Sequence, residues 1–468
     1  MNYPYDLNEA DHTAHAKNLL LTRRQWLAKT GTGFGALALS CMLAEQGYAA
    51  GGGALAPKQP PRTPKARRVL NIFLAGGAPH MDLWDPRPEL NSSGGKAQGN
   101  RKLLASPFKF PKYGKSGLQL SEIWPNLGRH ADDVAIVRST FTDAPAHGAA
   151  TLIQHNGTFT DPRPSVGSWV LYGLGTENQN LPGFITMNPG GAPDARTFNN
   201  SFLPGAYQGT FVDSNNTKIE DIIKNIKSGF ASRRDQRKQL DLLLKLNEIH
   251  KQKRQAEGDL EARINSYELA YRMQTDAREA FDIAGEKPET AAKYGTNAQG
   301  RQMMIARRLL ERGVRFVQVR QGGWDLHGGI AQRAKRNADQ LDPAIGALMD
   351  DLKERGMFDD TLIYITSEFG RTSHEDGGGG RSHNAKGMST VLAGGGIKGG
   401  MAYGSTNELG SAAVENKVHV KDIHATVLNQ LGFDHEQLTF RTGGRDFRLT
   451  QPTRTLPQGG QLVEGIVA

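Results

Sequence analysis

Residues 341–370 constrain the fold more than any other part of the chain, because they combine a helix, its stop and a buried strand that ends on a carboxylate. Ile345, Leu348, Met349 and Leu352 recur at helical spacing, and Gly356 stands where a left-handed cap ends a helix. Thr361 to Ile365 is a β-branched, aromatic and aliphatic run, too short for a helix and apolar enough for a central strand. Ser367, Glu368 and Gly370 follow at the expected strand end. Chemistry in open α/β sheets collects at the carboxyl ends of strands, so Glu368 is placed as a site residue.

The same alternation runs through the rest of the chain. Strands are expected at Val69–Leu74, Val134–Val137, Phe184–Met187, Val314–Val319 and Ser389–Leu392. Helices are expected at Ala146–Gly157, Gln302–Arg312 and Val420–Leu431. This pattern predicts an α/β fold with a mostly parallel central sheet and helices on both faces. Residues 218–284 break the pattern, being highly charged with leucines at helical spacing, and read as a helical insertion or cap. Their charge runs read as solvated helix faces.

The N-terminal segment reads as an export signal. Thr22-Arg23-Arg24-Gln25-Trp26-Leu27 resembles a twin-arginine motif, a modestly apolar run follows from Gly31 to Ala44, and Tyr48-Ala49-Ala50 offers small residues for cleavage. The expected organisation is a signal peptide over 1–50, a linker over 51–68, one large domain over 69–450 and a tail over 451–468. The expected location is periplasmic or extracellular, the expected partner the twin-arginine export machinery, with no stable membrane span after cleavage. Cys41, the single cysteine, lies inside the signal, so cleavage after Ala50 leaves a chain with neither thiol nor disulfide. The formal charge of +9 argues little for nucleic acid, because five positive charges sit in the linker, leaving about +4 for everything after it.

Four segments set histidine or carboxylate near glycines after expected strands: His80 and Asp82, Asp325 and His327, Glu368, and His383. Imidazoles and carboxylates converging on one sheet edge suit zinc or manganese, and suit calcium less well. The helix, stop and strand of 341–370 resemble the sulfatase branch of the alkaline phosphatase superfamily, with Glu368-Phe369 where its members place an Asp-His metal pair. Lys421-Asp422-Ile423-His424-Ala425-Thr426 resembles the C-terminal helix of sulfatases. Together with the twin-arginine segment, these motifs are similar to an exported sulfatase-like family of unknown function in that superfamily. The resemblance covers about residues 69–450 and implies a three-layer sandwich. It assigns Asp82 as the opening metal ligand with His80 as a competitor, Asp325 and His327 as a metal pair, Glu368 as the next carboxylate and His383 as the last ligand.

The resemblance also implies a nucleophile ten residues before the glycine that closes a helix. Gly157 closes that helix here, and the matching residue is His147, a ligand, a nitrogen nucleophile or a base for water. Without cysteine in the mature chain, formylglycine generated from cysteine is excluded. Arg371 and Arg381 flank the expected metal residues and are placed to pair with an oxyanion. The expected function is an exported metal-dependent hydrolase of sulfate or phosphate esters, acting on a small-molecule or polysaccharide substrate. The alternatives are a catalytically degenerate scaffold that binds rather than reacts, and a phosphodiesterase that uses metal-activated water alone.

Overall fold

In the computed structural model the residues described are 54–188, 194–216, 218–222, 232–253 and 279–468. The expected export signal lies outside the described residues, as does much of the 218–284 insertion. Leu55–Ala468 forms one compact unit.

A nine-stranded sheet organises this unit. Its strands are β1 (Arg68–Leu74), β2 (Val134–Phe141), β3 (Phe184–Asn188), β4 (Thr210–Asp213), β5 (Phe316–Gln321) and β6 (Thr361–Thr366). A hairpin of β7 (Gly370–Glu375) and β8 (Arg381–Asn384) stands apart from it, followed by β9 (Met388–Ala393), β10 (Met401–Tyr403) and β11 (Val418–His419). The spatial order is β10, β2, β9, β6, β1, β5, β3, β4, with β11 also on β2. All pairings are parallel except those of β9, which runs against both β6 and β2. Every residue of β6 is buried, as its unbroken apolar run requires of a strand covered on both faces.

Two layers of helix cover the sheet. On one face Leu70, Ile72, Val317, Val319, Ile363 and Ile365 pack with α4 (Ala298–Glu311) and α5 (Ile330–Glu354) in the main core. On the other lie α1 (His147–Asn156) and α6 (Val420–Gln430), joined where the His424 imidazole meets the Gln154 carbonyl at 2.8 Å. The Phe73 ring of β1 meets His155 of α1 edge-on, with centroids 4.7 Å apart. The chain also forms α2 (Val166–Leu174) and, within the insertion, α3 (Arg233–Lys253). No described helix is long and apolar enough to cross a membrane.

One element exceeds its sequence signal. The helix before Gly356 begins at Ile330, so Pro343 lies in its interior. Proline there removes one backbone hydrogen bond and strains the preceding turn. Burial of Ile330, Ala334, Ala338 and Leu341, one stripe on the helix, offsets that loss and carries α5 through. The adjoining Asp342 has a structural duty of its own. Its buried carboxylate accepts the Asn126 and Leu127 backbone N–H groups at 2.8 Å each and the Asn126 side-chain amide at 2.7 Å. Those amides open the short helix Pro125–Arg129, where nothing in that helix can receive them. Asp342→Ala orphans these buried donors and is expected to cost about 2–4 kcal/mol, read as a lowered midpoint in urea unfolding.

Candidate metal centre

The loop after β1 turns through Gly76 and Gly77, both at positive φ (119° and 68°). A Cβ on Gly76 would stand 2.3 Å from the Asp325 backbone nitrogen, so only glycine lets the β1 and β5 loops touch. The Gly76 N–H donates to both oxygens of Glu368, at 2.8 and 3.0 Å. Ser367 donates its hydroxyl to the Leu74 carbonyl at 2.6 Å and accepts the Ala78 N–H at 2.8 Å. The carboxyl ends of β1, β5 and β6 are thus locked together, and the β7–β8 hairpin, in which Arg371 pairs across from His383, closes over them.

Three imidazoles meet one carboxylate there. His147, the first residue of α1, places Nδ1 at 2.7 Å from Glu368 Oε1. His327 places Nδ1 at 2.6 Å from Asp376 Oδ2, and His383 places Nδ1 at 2.9 Å from the Pro145 carbonyl. An ionised carboxylate or a carbonyl can only accept, so each Nδ1 carries the hydrogen and each neutral ring presents a bare Nε2. These bare nitrogens converge. His327 Nε2 is 2.9 Å from His383 Nε2 and 3.0 Å from Asp325 Oδ1. His383 Nε2 and His147 Nε2 are 3.4 and 3.5 Å from that same oxygen. His147 Nε2 is buried and makes no hydrogen bond.

Acceptors facing acceptors repel unless a cation lies among them; Arg371 serves Asp325 and lies 3.5 Å from His327 Nε2, leaving the Nε2 atoms of His147 and His383 without a cationic partner. Four ligands held about 2.1 Å from a tetrahedral zinc ion stand roughly 3.4 Å apart, and the separations of His327, His383 and His147 from Asp325, and of His327 from His383, straddle that value. The atoms of His147, Asp325 and His383 all fall within 4.8 Å of one another. Three imidazoles and a carboxylate are the donor set of zinc or a similar transition ion rather than of calcium. Each imidazole is oriented by an acceptor behind it, the arrangement that fixes tautomer and ring in metal sites.

The charges agree. Burial acts upward on Asp325, but the hydrogen bond and charge of Arg371 outweigh it and hold the carboxyl down to about 2. Burial also acts upward on Glu368, and the His147 hydrogen bond with backbone N–H groups outweighs it, so its pKa is lowered. That hydrogen bond raises the pKa of His147, while burial and the charge of Arg371 lower that of His383. A proton and a divalent ion therefore compete for the same lone pair on His147.

The remaining expected residues face elsewhere. Asp82 is fully buried against Arg381, whose Nε and Nη2 reach its two oxygens at 2.7 and 3.0 Å. Arg381 also donates to the Leu104 and Thr372 carbonyls, at 3.0 and 3.2 Å. His80 is buried with Nε2 at 2.9 Å from the Gly410 carbonyl. The reason is local: Gly76 to Pro79 lead into a helical turn, His80–Leu83, which carries both side chains toward the hairpin and leaves the sheet edge to Glu368. Glu368 itself stands behind His147 rather than among the converging atoms. Arg371 is not free for an oxyanion either, since its N–H groups go to the Gly76, Gly77 and Arg381 carbonyls and to Asp325. Sequence reasoning missed Asp376 and the Pro145 carbonyl. Asp376 was signalled only by its place before Gly377–Gly380, in the turn joining the strands of Arg371 and His383.

Comparison with known proteins gives a family and weak structural likenesses. The family described as a protein of unknown function (DUF1501) matches residues 66–459. No curated protein matches the sequence. Similar solved structures include the lipoteichoic acid synthase LtaP from Listeria monocytogenes (11% identity, 82% of this chain and 74% of that chain, TM-score 0.37). Others are the PsFucS1 sulfatase from a Pseudoalteromonas species (14%, 85% and 70%, 0.34) and an alkaline phosphatase superfamily protein from Vibrio parahaemolyticus (11%, 86% and 73%, 0.35). At such scores they carry no argument about chemistry, which rests on the geometry above.

The buried Asp82–Arg381 pair separates structure from metal binding. Asp82→Asn leaves a buried guanidinium under-compensated and is expected to cost about 3–5 kcal/mol, measured by denaturant unfolding. Metal content per folded chain, measured by plasma mass spectrometry, is expected to stay at the wild-type value.

Proposed function

We propose that this chain, which belongs to the DUF1501 family, is an exported metal-dependent hydrolase of sulfate or phosphate esters. The observation that carries the proposal is the convergence of three bare Nε2 atoms, from His147, His327 and His383, on Asp325. These four residues would hold the ion. Bound there, a zinc-type ion supplies Lewis acidity toward an ester oxygen and toward water.

The chain's own residues supply position and polarity. Glu368, Asp376 and the Pro145 carbonyl fix the three rings. Arg371 holds Asp325 ionised and aimed. Phe369, fully buried, packs its ring tilted against those of His147 and His383, with centroids 4.9 and 4.5 Å away, as a dry wall beside both. Among the described residues, no serine, threonine or cysteine side chain hydrogen-bonds to the four converging groups. This favours direct attack by water over a covalent enzyme ester. It also favours, as the second proposal, a metal-holding scaffold that binds without reacting.

The twin-arginine segment and the thiol-free mature chain support export in a folded, metal-loaded state, with the export machinery as partner and a small-molecule or polysaccharide ester as substrate. Domain limits of 51–68 for the linker and 69–450 for the catalytic unit belong to the same proposal.

Purified mature protein is expected to hold at least one zinc or manganese ion per chain by plasma mass spectrometry. His383→Ala and Asp325→Ala are expected to abolish stoichiometric binding, and Asp376→Asn to weaken it by about ten- to a hundredfold. A wild-type chain that holds no metal ends the hydrolase proposal. Metal without turnover of aryl sulfate, phosphate monoester and phosphate diester supports the scaffold instead.

A further inference from the structure

Three arginines approach the carboxyl edge of the sheet, and two are spoken for. Arg371 and Arg381 are fully buried, with their N–H groups directed at carbonyls and at Asp325 and Asp82. Arg320 differs. It lies near the end of β5, in register with Phe73 of β1, and its guanidinium sits 5.3 Å from the centre of the Phe73 ring. Half-buried, it forms no hydrogen bond or ion pair among the described residues. Glu368 is near enough to act on it electrostatically. Glu368 is not its partner, because its oxygens already receive the Gly76 N–H and His147. Beside the same Phe73 ring, the buried His155 leaves Nε2 without a partner.

A partly desolvated guanidinium with five donors and no acceptor is costly unless something fills the gap. The formal charges name what is missing. Asp325, Glu368 and Asp376 bring three negative charges, and Arg371 with a divalent ion brings three positive ones. Arg320 is the surplus cation.

We propose that Arg320 is the anion-recognition residue of this site, holding the tetrahedral oxyanion of a phosphate or sulfate group. The inference deepens the hydrolase proposal in naming what the substrate must carry, and it rests on that proposal for the divalent ion in the charge count and for the reaction the anion enters. The planar fork over Phe73 would give two parallel hydrogen bonds to such an oxyanion, which an ammonium cannot reproduce.

The test is titration calorimetry of inorganic phosphate, and separately of sulfate, into wild-type mature protein, Arg320→Met and Arg320→Lys, with zinc content measured on each sample. Arg320→Met is expected to keep its zinc and to lose about ten- to a hundredfold in affinity for the preferred anion. Arg320→Lys is expected to recover part of that loss, and it carries the test if Arg320→Met does not fold. The anion whose affinity falls more identifies the ester class. Unchanged affinity in both variants overturns the proposal, as does a wild-type protein that binds neither anion. A wild-type chain without metal ends the hydrolase proposal alone, since dependence on Arg320 is then read on the metal-free protein.

Discussion

The edge of the sheet depends on the guanidinium of Arg371. Its side chain is wholly buried, and its donors reach the Gly76 and Gly77 carbonyls of the β1 loop, the Arg381 carbonyl of the hairpin and the Asp325 carboxylate of the β5 loop. A buried charge costs several kcal/mol unless its donors are matched, and here they are matched by three separate segments. Those segments cannot drift apart without orphaning it. The same contact keeps Asp325 ionised next to three imidazoles. One interaction therefore sets both the geometry and the charge of the cluster, and a change at Arg371 would confound the two.

Arg381 and Asp82 repeat the device one layer away. Their pair is fully buried and bidentate, and Arg381 also holds the hairpin to the Leu104 carbonyl. Such a pair contributes little net stability compared with apolar packing, but it punishes loss of either partner. Its effect is to anchor the hairpin at Arg381 to the helical turn that carries Asp82 and to the Leu104 carbonyl. Phe369 works from the other side as an apolar wall against two imidazoles. Where the resemblance placed a second ligand, the chain has packing instead, and His147 supplies a nitrogen from a different element.

What could be read from the sequence was local. The helix before Gly356 and the strand from Thr361 announce themselves because periodicity and burial act over a few residues. The αL cap at Gly157 (φ 75°) and the resulting place of His147 at the start of α1 were legible for the same reason. The partners of Asp82, Glu368 and Arg381 were not, because they are set by loops that meet across intervals of nearly three hundred residues. A carboxylate at a strand end looks like a ligand whether it faces the ion or stands behind a histidine. Glu368 does the second, and only the contact with Gly76 and His147 distinguishes the roles. Asp376 was hidden differently, inside a glycine run that reads as a turn until the hairpin is known.

The departures from the resemblance are physically coupled. Placing histidine at the start of α1 removes a side-chain hydroxyl but adds a third nitrogen, and that nitrogen needs an acceptor behind it to hold its tautomer. Glu368 provides the acceptor and so stands behind the ring rather than among the converging atoms. The neighbouring position 369 carries an apolar ring that packs against two of the imidazoles. In the proposed hydrolase, an ester would meet three imidazoles and, among the described residues, no hydroxyl or thiol hydrogen-bonded to them. The one guanidinium at this edge with no partner among the described residues is Arg320, over the Phe73 ring.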